Sequence, residues 1–317
     1  LGGEVGRVCV YEVFPVNFVM LSKEKKDEML LRFFRLLNSL PCQIRLFAVK
    51  SQKIVEVGGN EFASVYYRFF IESIGEPIDW LLEQCGFKYQ PLTELTKPQI
   101  AKVYPKHIAL KNGKVLRSFT VYQLPGTLLA GFICELYGLC ERVLIDIKPL
   151  KAELASARMG KYVRFLKSLM LAEQAKGRLI RDELKLKHAM AEATYQNLIT
   201  GSTNLFELKI NLTVIADNLN ELNVASKKLK DTLQARFVKI DVPLYLQKEL
   251  LSGVVGKKLT VDTCTAGAFF PFVSADLIES PGGIFLGINR LTGAPVIFDL
   301  HLHMNKNVLV LGKSGSG

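Results

Sequence analysis

The most constraining stretch of this chain is its last thirteen residues, Asn305-Lys306-Asn307-Val308-Leu309-Val310-Leu311-Gly312-Lys313-Ser314-Gly315-Ser316-Gly317. An apolar run from Val308 to Leu311 reads as a buried strand, and it enters Gly-Lys-Ser-Gly-Ser-Gly without a break. The phosphate-binding loop pattern is G-x-x-x-x-G-K-[ST], and Gly312 and Gly317 hold its two glycine positions. Such a loop turns its backbone N–H groups inward around phosphate oxygens, which requires glycine torsions and small side chains. A helix starting after it would point its positive end at the anion. The candidate phosphate-contacting residues are therefore Gly312, Lys313, Ser314, Gly315, Ser316 and Gly317. Lys313 occupies a variable position and is expected to face solvent. The lysine and hydroxyl residue that complete the pattern would follow Gly317. The chain is thus expected to hold the first part of a triphosphate site and to be catalytically inactive alone.

A length of 317 residues suits about two domains. The formal net charge is +11, and part of the excess is concentrated. Residues 149–200 contain ten Lys/Arg against five Asp/Glu. A basic helical face of this kind attracts nucleic acid, anionic lipid or an acidic protein, and it is equally compatible with a solvated surface. The six cysteines (Cys9, Cys42, Cys85, Cys134, Cys140, Cys264) form no C-x-x-C pair and read as buried free thiols. His301 and His303 lie on one face of a strand, but they lack a third ligand and make a weak metal case. Pro125 to Cys140, the most apolar stretch, is too short to cross a bilayer.

Periodicity divides the chain further. Val5 to Phe14 and Gln43 to Val49 read as strands around a helix that Ser22 caps and that carries Leu30, Phe33, Phe34 and Leu37. Residues 60–86 read as a second helix, and Gln90 to Pro105, with three prolines, as a linker. Asn112-Gly113 signals a hairpin. Val115 to Tyr122, Pro125 to Leu136 and Arg142 to Ile147 form a strand–helix–strand unit. A helical pair with its turn at Gly177 fills 150–200. Phe206 to Val214 alternates as a strand with one wet face, Asp217 caps a helix bearing Leu222, Leu229 and Leu233, and Phe237 to Ile240 is a last strand. Phe269 to Val273 reads as a short strand, and Ile284 to Asn289 with Pro295 to Asp299 as a hairpin.

The expected fold class is α/β (α+β). Residues 1–110 form an N-terminal α/β region with a partial copy of the strand–helix–strand unit. Residues 111–250 form a ferredoxin-like split βαβ sheet with a helical insertion at 150–200, and 265–317 begin a P-loop domain.

Several segments resemble one family. They are Phe270-Pro271-Phe272, Gly283 through Asn289, Thr292-Gly293-Ala294-Pro295-Val296, Asn305-Lys306-Asn307 and Gly312 through Gly317. Arg117-Ser118-Phe119 through Leu124-Pro125, and Ile199-Thr200-Gly201 through Leu205-Phe206, are similar too. This set resembles the conjugative-transfer and type IV secretion ATPases of the TraC/TrbE type, within the FtsK/HerA group of RecA-like motors. The likeness is specific near the C-terminus and diffuse over 1–110. It implies a cytoplasmic hexameric motor, peripherally associated with the membrane, that uses ATP and Mg2+ to drive secretion or conjugation. This half would dock onto channel or inner-membrane subunits, with DNA a possible but less favoured partner. Two other readings stay open. One is a HerA/FtsK-type DNA translocase, and the other is a non-enzymatic α/β interaction module with a coincidental Gly-rich end.

Overall fold

In the computed structural model the structure describes residues 7–18, 21–57, 60–126, 128, 131–274, 276–277, 279–280, 283–289, 294–307 and 309. β1 (Arg7–Val13) and the short β2 (Val16–Asn17) lead into α1 (Lys23–Asn38). Ser22 caps α1 as the sequence indicates, its hydroxyl accepting from the Lys25 N–H, and Phe33, Leu36 and Leu37 form the helix's buried stripe. β3 (Gln43–Val57) and β4 (Asn60–Gly75) follow as a long hairpin with Val57 opposite Asn60.

The helix expected over residues 60–86 is therefore wrong. Most of it is β4, and only α2 (Asp79–Gln84) is helical. The run Val65-Tyr66-Tyr67 and Phe69-Phe70-Ile71 is aromatic and β-branched, which suits a pleated surface better than a helix. Gly58-Gly59 is the two-residue hairpin signal that precedes it.

β5 (Tyr89–Leu92), β6 (Ile100–Val103) and β7 (Ile108–Leu110) come next, so the expected linker carries strands at both ends. β8 (Val115–Gln123) pairs with β7 across the Asn112-Gly113 turn, where Gly113 has φ +83°. The helix expected from Pro125 to Leu136 is a 3-10 turn at Phe132–Leu136 among the described residues. β9 (Arg142–Pro149), α3 (Ala152–Ala175), α4 (Asp182–Ile199), β10 (Leu205–Ala216) and α5 (Leu219–Ala235) follow. Asn218, not Asp217, caps α5 by accepting from the Glu221 N–H, while Asp217 meets Lys114 at 3.0 Å. β11 (Lys239–Asp241) starts two residues later than expected, because Phe237 has φ +58° and cannot continue a strand. α6 (Gln247–Leu251), β12 (Leu259–Asp262), α7 (Thr263–Gly267), β13 (Val273–Ser274), β14 (Ile284–Ile288) and β15 (Pro295–Phe298) complete the chain as described.

Eleven strands form one sheet in the order β5-β1-β4-β3-β9-β10-β8-β7-β6, with β11 added to β8 and β12 to β10. Every pairing in it is antiparallel. The molecule is thus a mixed α/β protein with a large antiparallel sheet and, among the described residues, seven α-helices. The order repeats. β1, β3, β4 and β5 are arranged as β3-β4-β1-β5, and β8, β9, β10 and β11 as β9-β10-β8-β11. The partial copy expected near the N-terminus is completed by β4, α2 and β5. The two sets meet where β3 pairs with β9, from Ile44 opposite Ile147 to Val49 opposite Arg142.

The two faces of the sheet differ because alternate residues point to opposite sides. One face is apolar. Ile44, Leu46, Phe69, Ile71, Val143, Ile145, Leu208 and Ile210 pack beneath the stripes of α1 and α5. Phe269, Phe270 and Phe272 are wholly buried in this layer, with Phe270 5.3 Å from Phe33 and Phe272 6.0 Å from Phe69. Phe269 to Phe272 is a core plug and not the expected strand, which is confined to Val273–Ser274.

The other face is mixed and covered: Val10, Phe47, Phe70 and Leu144 form a smaller apolar cluster on it, beside the polar groups of β9 and β10. The face of β10 expected to be wet is enclosed by α6 and the turn after it. Asn211 donates to the carbonyls of Leu250 and Val255, Lys209 to that of Gly253, and the Ser118 N–H to the Gln247 side-chain oxygen.

α7 crosses α1 at Gly267, where a Cβ would stand 1.7 Å from Cε1 of Phe34. Gly267→Ala should therefore destabilise the fold by about 1–3 kcal/mol through overpacking. Adding Phe34→Leu should recover part of the loss, since the two positions touch. Denaturant midpoints of the single and double variants check this. An unchanged midpoint in Gly267→Ala would mean that α7 does not sit against α1.

Candidate functional site

The approach to the glycine-rich loop is built from β14 and β15, which pair from Ile284 opposite Phe298 to Ile288 opposite Pro295. This is the hairpin expected from the sequence. Asp299 ends it and caps a 3-10 turn at Leu300–Leu302, accepting from the His301 N–H at 2.9 Å. Its carboxyl is held below the usual range by the Ser280 hydroxyl and then by the His301 N–H. Glu279 accepts from the Asp299 N–H at 2.7 Å and meets His303 Nε2 at 2.8 Å, and the His303 ring stacks on Phe298. The His303 side chain therefore ties the segment after β15 to Glu279 and to Phe298 of the hairpin, while His301 contributes only its backbone N–H. Among the described residues no cluster of His, Cys, Asp or Glu could hold a metal ion.

Apolar residues on both faces of β14, Ile284, Phe285, Leu286 and Ile288, are exposed, although the Phe285 ring lies 5.6 Å from that of Phe62. Asn305, Lys306 and Asn307 continue toward the loop in irregular backbone. The predicted phosphate-contacting residues, Gly312, Lys313, Ser314, Gly315, Ser316 and Gly317, lie outside the described residues, as do Val308, Val310 and Leu311 of the buried strand expected before them; Leu309, the one described residue of that run, is 81 % exposed and in no strand, against the expectation.

The helical insertion is present at its expected place. α3 and α4 pack on each other where Gly160 lets the Tyr195 ring approach, and Gly177, at φ +68°, reverses the chain between them. Buried positions in the pair are few: Ala155, Leu166 and Ala191. The pair is pinned to the sheet by Arg158, which reaches Glu207 of β10 at 2.7 Å. That hydrogen bond is the main reason the Glu207 carboxyl is held low, with Lys258 adding to it. Arg158 is thus an anchor, whereas Lys161, Arg164 and Lys167 are exposed. Tyr162 and Phe165, which the helical spacing places on the packed stripe, are instead 45 % and 56 % exposed.

Sequence reasoning missed a cluster of buried charge on the mixed face. Asp146 is 0 % exposed and accepts from Gln43 at 2.6 Å, from Arg45 at 3.4 Å and from Lys209 at 2.9 Å. Arg45 also meets Glu72 at 3.5 Å. The available signal was a single aspartate inside the apolar run Val143 to Ile147, since an unpaired charge cannot remain there. The cysteines divide differently from expectation. Cys85 and Cys140 are buried, and burial raises both thiols, but Cys9 and Cys42 are half-buried and Cys264 is exposed.

No helix among the described residues is long and apolar enough to cross a membrane. Compared with known proteins, the chain matches no protein-family model, and no curated protein matches it.

Proposed function

We propose that this chain is the N-terminal portion of a motor ATPase that energises type IV secretion or conjugative transfer. Its ferredoxin-like double sheet would serve in docking and subunit assembly, and β14 and β15 would be the entrance to a RecA-like nucleotide domain. The observation that carries the reading is the apolar sequence run Val308 to Leu311 leading into Gly312 through Gly317 at phosphate-loop spacing. Three features support it. The order β9-β10-β8-β11 is the one a split βαβ pair would have, which supports that reading. The β14–β15 hairpin contains residues that carry the family resemblance, and the exposed apolar residues of β14 suit packing against the body of a nucleotide domain. The α3–α4 pair offers a basic surface of Lys161, Arg164 and Lys167 to an acidic partner subunit.

In this reading ATP would place its phosphates on the loop's backbone N–H groups, and Mg2+ would neutralise developing charge. The motor would act as a hexamer on the cytoplasmic face of the membrane. Residues 1–317 alone should release no phosphate above blank. The contacts from the completing lysine and hydroxyl would be missing, and loss of one such contact typically costs about 10² to 10³ in rate. A protein that carries this chain with a completed loop should hydrolyse ATP. Phosphate release by 1–317 alone, or its absence in the protein with the completed loop, would contradict the proposal.

A second reading, binding of single-stranded nucleic acid, is favoured by one observation. Tyr162 and Phe165 are exposed among Lys161, Arg164 and Lys167, and exposed aromatics between cations suit base stacking. Reversing the charge at Lys161, Arg164 and Lys167 separates the two readings and spares the Arg158 anchor. Docking predicts impaired secretion or conjugation with any DNA binding weak at physiological salt. Nucleic-acid binding predicts a salt-dependent affinity that the triple variant loses.

A further inference from the structure

The mixed face of the sheet holds a cavity of about 430 Å³ beside the β3–β9 seam, roofed by the segment from Glu94 to Pro98. Pockets that take small molecules are commonly about 300 to 1,000 Å³, largely apolar, with a few convergent polar groups. The walls fit that description: Val49, Phe70, Leu95, Leu116, Ile215 and Leu251 supply apolar surface from five separate elements.

The charged groups of the lining are mostly spoken for. Arg68 makes a two-pronged contact with Glu12 at 2.6 and 2.7 Å, and Lys50 meets Glu141 at 2.8 Å. Glu94 and Lys97 are exposed at the edge. Arg142 is different. Its guanidinium lies over the Phe47 ring at 4.6 Å, and its Nε is wholly shielded from solvent and donates no hydrogen bond. The nearest attraction, from Glu72, is shared with Arg45 at 3.5 Å. Burial pushes the guanidinium down to about 10, so it stays charged at neutral pH. That nitrogen is too enclosed to meet a ligand in the cavity, but Arg142 lines the cavity and among the described residues its guanidinium makes no hydrogen bond or ion pair at any nitrogen, although a charged group so enclosed is normally paired.

We propose that this cavity binds a small carboxylate with an apolar body, the carboxylate accepting from Arg142 and the body lying on Phe70, Leu116 and Ile215. One guanidinium carries one charge and presents a planar fork, which matches a carboxylate. A phosphate dianion would gain no burial for the apolar part of the wall, which an apolar body attached to a carboxylate would cover. The site is independent of the nucleotide reading above, since none of its residues belongs to the glycine-rich loop.

Calorimetric titration tests this with sodium octanoate, 1-octanol and inorganic phosphate as probes. Octanoate should bind saturably at one site per chain, 1-octanol at least tenfold more weakly, and phosphate should not compete. Arg142→Met should weaken octanoate at least tenfold and leave 1-octanol unchanged. Ile215→Trp, at a half-buried position that faces the cavity, should abolish binding of both while preserving the circular dichroism spectrum. If Arg142→Met does not fold, Ile215→Trp alone decides. No saturable octanoate binding, equal affinity for 1-octanol, displacement by phosphate, or octanoate binding that survives Ile215→Trp would each overturn the proposal.

Discussion

The pairing of β3 with β9 is the contact on which the rest of the molecule depends. Each four-strand set could end at its own edge, and an exposed edge of unpaired N–H and C=O groups invites aggregation. Here the two edges satisfy each other from Ile44 opposite Ile147 to Val49 opposite Arg142. Both faces of the seam are then closed. Ile44, Leu46, Val143 and Ile145 lie in the apolar layer. On the opposite face Asp146 draws Gln43 and Arg45 from β3 and Lys209 from β10 to one point. Such a cluster is a demanding device, because removing one member of a buried pair leaves an uncompensated charge that typically costs about 3–5 kcal/mol. It specifies register, since a one-residue slip would carry Asp146 into the apolar layer.

Function, as proposed, sits at the margins of this platform. The α3–α4 pair projects from the connection between β9 and β10, held by Arg158 on Glu207, and leaves both cations and aromatics at the surface. β14 and β15 carry the chain toward the glycine-rich residues. The Phe269 to Phe272 plug connects that end to the core, since the Phe272 carbonyl accepts from the Val16 N–H and the Pro271 carbonyl from the Tyr137 hydroxyl. The same residues that carry the family resemblance, Phe270-Pro271-Phe272, thus have a packing role of their own in this chain.

Local signals in the sequence were readable where one physical effect dominated. Ser22 before an apolar stripe, Asn112-Gly113 between two apolar runs, and the basic helical pair around Gly177 each predicted the element found. The signals failed where two effects competed. β4 contains apolar residues at spacings that also fit a helix, and its aromatic and β-branched content together with pairing to β3 and β1 along its length makes it a strand. β10 alternates like a half-wet strand, but Asn211 and Thr213 of its polar row are buried, and α6 returns to cover Asn211. That return is a long-range event with no local mark. The Arg142 cavity was invisible for the same reason, since its walls come from strands far apart in sequence. The candidate loop itself was legible only as a motif, and Gly312 to Gly317 lie outside the described residues.

The central structural claim is that two like strand sets form a single cooperative sheet through β3 and β9. Native-state amide hydrogen exchange measures this most directly. Amides of residues 44–49 and 142–147 should exchange only with global unfolding, at the same free energy as the interior of β10. Early exchange at these positions, with the two strand sets opening at separate free energies, would contradict the account.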